Sequence, residues 1–337
     1  TLMSMMIVAL IASNFITLPY YAIAPGSARR VDDLVHVSDP SKTFKHQGQV
    51  LFTTVALYRV KPFDAVESWF NRDIDLVSEK QILGTAKPSQ LNQINLQEMT
   101  DSKQVAVQVA LRRIGVKEEG KGTQVASVGP KLPADGHLNP GDVILAIDGK
   151  PTLLAQDAIA LIRGYKPGDV SQFQVQATNG QVRTETITYG ENPETHFAYV
   201  GITLGTKDDH FDLPYSVTID SGQVGGPSAG LAFTLEVIDT LTAGDLTGGR
   251  KVAVTGTIES DGSVGEVGGV PQKTAAVRAS GARYFLVPAS EYKEAKAHAG
   301  SRLTVIPVKN LEQALTALNG LGGNVAALGP PPASLQR

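Results

Sequence analysis

The chain has 337 residues, 42% apolar and 19% charged, enough for two or three domains with buried cores. Its 30 basic and 33 acidic side chains leave a formal charge of −3, with no basic stripe to hold nucleic acid by bulk electrostatics. Without Cys there is no thiol nucleophile, disulfide, iron–sulfur cluster or Cys-ligated zinc; the six scattered His lack H-E-x-x-H spacing and no P-loop occurs, so neither metal nor cofactor is expected.

Residues 1–28 carry no charge, and 2–23 form a mostly apolar run. As one helix that run would span about 33 Å, the thickness of a bilayer's hydrocarbon core. Pro19, Tyr20 and Tyr21 suit a membrane interface. The expectation is a transmembrane anchor over 1–23. Ala22-Ile23-Ala24 also has the small-x-small form of a signal-peptide cleavage site, but the run is long for one and Pro25 would follow the cut. Arg29 and Arg30 beyond the span do not settle its orientation.

Residues 24–115 read as a mixed α/β spacer region, with no chemistry assigned. Within it 50–60 predicts a strand, and 88–114 a helix with Val105, Ala106, Val109, Ala110 and Ile114 on one face and Gly115 to close it. Over 116–195 the pattern changes to short strands and strong turns. Asp148-Gly149 and Asn179-Gly180 are hairpin signals, Phe173, Val175 and Ala177 alternate onto one face, and 155–163 predicts a short helix ended by Gly164. Residues 196–320 read as an α/β domain: strand candidates at 217–220, 252–256, 284–287 and 303–307 alternate with helix candidates at 228–243, 271–280, 291–299 and 311–318. Gly244, Gly281, Gly300 and Gly320 stand where helices should stop, and Asn310 with Gln313 has the form of a capping box. The tail 321–337, with Gly322-Gly323 and Pro330-Pro331-Pro332, reads as disordered. The fold class is therefore multidomain, α/β plus β-rich, behind an N-terminal transmembrane helix.

Two strand-to-helix junctions carry chemistry. In Gly225-Gly226-Pro227-Ser228-Ala229-Gly230, proline at the first helical position would set Ser228 in the first turn, among unpaired N–H groups that can hold an oxyanion. In Gly268-Gly269-Val270-Pro271-Gln272-Lys273 the same logic sets Lys273 in a first turn. There the helix dipole and a dry site both disfavour the ammonium, so a neutral amine becomes available as a base. Ser–Lys pairs are a known variant of the catalytic triad. Singly, such a serine is more often a cap and such a lysine more often solvated. His210, in Asp208-Asp209-His210, reads as a solvated loop residue rather than a triad member.

The run Gly136-His137-Leu138-Asn139-Pro140-Gly141-Asp142-Val143-Ile144-Leu145-Ala146-Ile147-Asp148-Gly149 closely resembles the PDZ pattern G-x-L-x-x-G-D-x-I-x-x-I-x-G, and Lys166-Pro167-Gly168-Asp169 resembles the turn after the PDZ helix. That resemblance implies capture of an extended peptide as an added strand beside a helix. Ile114, Gly115 and Val116 loosely resemble the carboxylate-holding loop, so peptide binding is expected there; a rigid spacer is the plainer alternative.

Gly226-Pro227-Ser228-Ala229-Gly230 resembles the G-P-S-A-G of Lon proteolytic domains, whose serine is the nucleophile. Thr255-Gly256-Thr257-Ile258, Gly262-Ser263-Val264 and the junction ending in Lys273 resemble that family's T-G-x-[IL], G-x-V and G-G-[LV]-x-x-K, whose lysine is the general base. The resemblance implies Ser228 and Lys273 as the dyad, with Thr255, Gly226 and Pro227 in support. Three departures stand out: Gly225 replaces the acidic residue that often precedes G-P-S in ATP-driven members, and Thr257 and Gln272 replace glutamates.

Anchor, PDZ-like and Lon-type domains in that order resemble bacterial membrane-anchored, ATP-independent PDZ–Lon proteases. The resemblance implies a single-pass membrane protein with an extracytoplasmic serine endopeptidase domain acting on protein or peptide substrates, and leaves homo-oligomerisation open. Two other classes compete. One is a proteolytically inactive, membrane-tethered PDZ adaptor. The other is a small-molecule kinase of the GHMP type, which would leave Lys273 unexplained and lacks the longer serine run.

Overall fold

The computed structural model describes residues 17–84, 86–192, 196–330 and 335. The chain divides into two compact units, one built from residues up to 114 together with those from 215 onward, the other from 115–214. In the first unit β1 (Tyr20–Arg30) pairs antiparallel with β2 (Gln49–Arg59) on one side and with β3 (Asp75–Ser78) on the other. Helix α1 (Pro62–Phe70) lies between β2 and β3; the short α2 (Glu79–Leu83) follows, then the long α3 (Pro88–Arg113).

These elements correct two expectations. Of the anchor helix expected over 1–23, residues 1–16 lie outside the described residues, but Tyr20, Tyr21, Ala22 and Ile23 are strand. Among the described residues no helix is long and apolar enough to cross a membrane. A strand flanked on both sides is buried, as Ala22 and Ala24 are here, and reads as continuously apolar as a buried helix does. Pro25, which has no N–H to give, sits at a register shift, and a Cβ on Gly26 would come 2.5 Å from the Thr54 carbonyl oxygen. The stretch 24–115 is likewise no separate spacer, because β1, β2 and β3 belong to the first unit's main sheet.

The second unit contains β4 (Thr123–Val128), β5 (Val143–Ile147), helix α4 (Ala155–Arg163), β6 (Val170–Gln176), β7 (Val182–Thr188) and β8 (Ile202–Thr206). Its sheet runs β7-β6-β5-β4-β8 with antiparallel neighbours. Phe173 and Val175 of β6 are buried with Ile144, Ile147 and Ala158 of α4, as the period-2 pattern predicts. The unit extends past 195 because β8 is needed to complete the sheet.

The chain then returns to the first unit through α5 (Gly230–Leu241), β9 (Lys251–Val254), α6 (Val270–Ser280), β10 (Tyr284–Pro288), α7 (Tyr292–His298), β11 (Thr304–Val308) and α8 (Leu311–Gly320). The completed sheet has the order β11-β10-β9-β2-β1-β3, in which β2, β9, β10 and β11 are parallel. Alternation along the strands feeds two cores. Leu51, Ala253, Phe285 and Val287 meet Val270 and Val277 of α6, while Phe52 meets Phe233 of α5 with ring centroids 5.8 Å apart. Helix α5 is buried nearly all round, the polar Thr234, Glu236 and Asp239 included.

The tail expected to be disordered is ordered through 330. Asn324 donates its backbone N–H to the Asp245 carbonyl, and the Arg113 guanidinium reaches the carbonyls of Leu328 and Gly329. Residues 331–334 and 336–337 lie outside the described residues.

Candidate active site

Ser228 is placed by the turn that enters α5, and it precedes the helix rather than lying in its first turn, since α5 starts at Gly230 with Ala229 as its cap. The turn is held from two sides. From α3, the Asn95 carbonyl accepts the Gly226 N–H at 2.8 Å and the Ser102 hydroxyl donates to the Pro227 carbonyl at 3.0 Å. From the residues just after β9, the Gly256 N–H (3.0 Å) and the Thr255 hydroxyl (3.3 Å) both donate to the Ser228 carbonyl. Gly226 has φ +84°, a conformation that favours glycine. Gly225 is fixed by space: a Cβ there would come 2.8 Å from the Asn95 Cβ and 3.2 Å from its carbonyl carbon. The close approach of α3 therefore excludes an acidic side chain at 225.

Lys273 lies one residue deeper than expected, because α6 begins at Val270 behind Gly269, whose φ is +69°. Its N–H makes the first helical bond, to the Gly269 carbonyl, at 2.9 Å. The side chain is 2% exposed. Burial pushes the ammonium down to about 8, and attraction from Glu291 opposes part of that effect. Glu291 is itself pushed up by burial; one of its oxygens accepts the Val267 N–H and the other is buried without a hydrogen-bond partner. The neighbouring Gln272 donates to Asp75 of β3 at 2.8 Å, so a glutamate at 272 would face a carboxylate.

Ser228 and Lys273 line one cavity of about 570 Å³, together with Gly225, Gly226, Pro227 and Gly269. Thr255 is fully buried behind the serine. Asn95, Ser102 and Glu291 had no local signal in the sequence beyond polar residues at buried or half-buried positions. An unpaired polar group is costly inside, so Ser102 on the buried face of α3 is the one hint that a partner waits there. Among the described residues, no group of three or more His, Asp or Glu side chains is placed to hold a metal ion. His210 is an exposed residue of the second unit, paired with Glu119.

Ile114, Gly115 and Val116 are not among the residues that line the second unit's cavity. Ile114 caps α3 and Gly115 follows at φ +81°, where the chain passes between units. The second unit's groove lies elsewhere: a cavity of about 700 Å³ between Ile159 and Ile162 of α4 and Ile202 and Leu204 of β8, closed by the 197–201 segment. Among the described residues strand β8 pairs with β4 alone in its sheet, which leaves its other edge without a strand partner there. The sequence Tyr199-Val200-Gly201-Ile202, with Gly201 at φ +78°, was the signal for this loop.

A Gly-Pro-Ser turn and a buried first-turn lysine thus line one cavity in an α/β unit. The chain belongs to the family of the Lon protease (S16) C-terminal proteolytic domain, whose model matches residues 141–319, more than half of its length. It is similar to the Lon proteases of Neorickettsia sennetsu (29% identity over 154 residues, 45% of this chain and 17% of that protein) and Azospirillum brasilense (30% over 154 residues, 44% and 17%). The Lon protease of Escherichia coli K12 is 29% identical over 152 residues, 44% of this chain and 18% of that protein. The chain thus spans less than a fifth of the length of these curated relatives. Among solved structures it is similar to the PDZ domain of an SdrC-like protein from Listeria monocytogenes, with TM-score 0.24 and 28% identity over 25% of this chain and 87% of that one.

Proposed function

We propose that this protein is a serine endopeptidase that uses Ser228 as nucleophile and Lys273 as general base. The observation that carries the reading is the shared cavity, with a lysine whose burial brings it within reach of neutrality near physiological pH. The Ser228 hydroxyl attacks a peptide carbonyl while Lys273 Nζ takes its proton; the amides of Ser228 and Ala229 are the oxyanion donors. Lys273 then gives the proton to the leaving amine as the C–N bond breaks. Water cleaves the resulting ester with the same lysine as base, which restores the serine hydroxyl. Thr255, Gly226 and Pro227 fix the turn that aims the serine. The second unit supplies an open strand edge and an apolar groove for an extended protein segment. Cleavage is not driven by nucleotide hydrolysis in these 337 residues, which contain no P-loop.

The experiment is cleavage of an unfolded protein and of a short peptide by the full chain, with Ser228→Ala and Lys273→Ala. Each should lower kcat/KM by about a thousandfold or more while thermal melting stays cooperative. Full activity in either variant overturns the dyad.

The placement proposed is a membrane-held protein with the catalytic unit outside the cytoplasm. It is supported by the charge-free sequence ahead of β1 and is tested by protease accessibility in intact cells against lysed ones. The attraction of Glu291 favours one second reading, a tethered adaptor that binds peptide without turnover, because a protonated lysine accepts no proton. Peptide binding with no cleavage at any pH would decide for it.

A further inference from the structure

Helix α1 carries an apolar face that no described residue of its own unit covers. Trp69 is 88% exposed, Phe70 85%, Phe63 63% and Val66 55%. Phe63, Val66 and Phe70 fall at i, i+3 and i+7, on one stripe of the helix with Trp69 at its flank, and a cavity of about 680 Å³ opens beside Phe63, Val66, Phe70 and Arg72. Large apolar side chains rarely gather on an exposed surface without an occupant.

The occupant is indicated by where the chain comes from. Residues 1–16 are free of charge and mostly apolar, and the described chain enters the sheet directly beside α1. The Leu18 N–H donates to the Val60 carbonyl at 2.8 Å, and the Val60 N–H to the Tyr20 carbonyl at 3.0 Å. Only Lys61 separates Val60 from the start of α1. Exposed Tyr20 stands at the same place. Lys61 and Arg72 bracket the helix, with stems long enough to leave their charges in a headgroup layer while aromatic rings lie below it.

We propose that the Phe63–Val66–Trp69–Phe70 face of α1 lies in the interface of a lipid bilayer and seats the first unit on the membrane surface. The proposal rests on the membrane reading above and adds a second, independent contact to it. A helix lying in the interface buries its apolar face roughly 5–10 Å into the headgroup and acyl boundary.

Trp69 is the single tryptophan of the chain, so its emission reports on this face alone. The full chain, reconstituted with phosphatidylcholine–phosphatidylglycerol vesicles, is floated on a density gradient, and the fluorescence of the floated fraction is read with acyl-brominated lipids and with aqueous iodide. Expected are about a twofold loss of emission with shallow bromines and protection from iodide, both lost in Phe63→Ser/Phe70→Ser. Flotation with a Trp69 open to iodide and blind to bromolipid overturns the α1 contact and leaves the membrane placement standing. Protection from iodide without bromolipid quenching assigns the face to protein, either a second copy or residues 1–16, and also overturns it. Failure to float overturns the membrane placement; bromolipid quenching in vesicle suspension would then still uphold α1.

Discussion

In the proposed dyad, Lys273 ties activity and stability to pH through one proton. Its ammonium sits near 8 in the folded chain, against 10.5 for an exposed lysine. Below pH 8 both folded and unfolded chains hold the proton, so the fold bears the whole cost of a buried charge. Between about 8 and 10.5 the unfolded chain still holds a proton that the folded chain has released, so stability rises with pH, by about 3 kcal/mol in all. The proposed base must be neutral to act, so kcat/KM should climb about tenfold per unit up to pH 8 and then level off. Glu291→Gln removes an attraction for the ammonium and should move that midpoint to lower pH; a midpoint that stays put or rises would show that Glu291 does not act on Lys273. Lys273→Met should abolish cleavage yet raise stability at pH 7 by about 2 kcal/mol in urea melts, because a methionine fills the same space without a charge. A destabilised variant would mean that the amine has a stabilising partner in the resting site.

At the scale of elements, what the sequence allows depends on whether the cause is local. Gly281 at φ +76° ends α6, and Asn310 accepts the Gln313 N–H to start α8, both as local punctuation predicts. The capping box is half formed: the Gln313 side chain reaches the Lys309 N–H instead. The G-P-S turn and the G-G-V-P-Q-K junction are readable for the same reason. The strand β1 is not, because a buried strand and a buried helix share one apolar signature. Nor is the support of the serine turn by Asn95 and Ser102, more than a hundred residues earlier, since no local periodicity encodes which helix will pack there. Gln272 shows such a distant cause acting on one side chain. Its amide donates to Asp75, tying α6 to β3. Gln272→Glu would set two carboxylates at hydrogen-bond distance, one of which must take up a proton, and should cost about 1–2 kcal/mol at pH 7. Adding Asp75→Asn should recover most of that loss, since an amide can donate to the new carboxylate. A double-mutant cycle in urea with no coupling would break the link between α6 and β3.

In the proposed reading the molecule joins a site that cuts in one unit to a surface that holds peptide in the other, with chain crossings near residues 114 and 214. If that reading holds, a segment bound along the edge of β8 would share a chain with the catalytic cavity, and capture would raise its effective concentration there without any added contact to the serine. Short peptides that never engage the groove should gain nothing from it. Ile159 lines the groove from α4 and is outside the second unit's buried core, so Ile159→Arg puts a cation into an apolar trough while the sheet stays packed. For an unfolded protein substrate the KM should rise about tenfold with kcat nearly constant, while kcat/KM for a short peptide stays within about twofold of the parent. Equal losses on both substrates would make the groove a structural support of the catalytic unit. No loss on either would remove substrate capture from the function of the second unit.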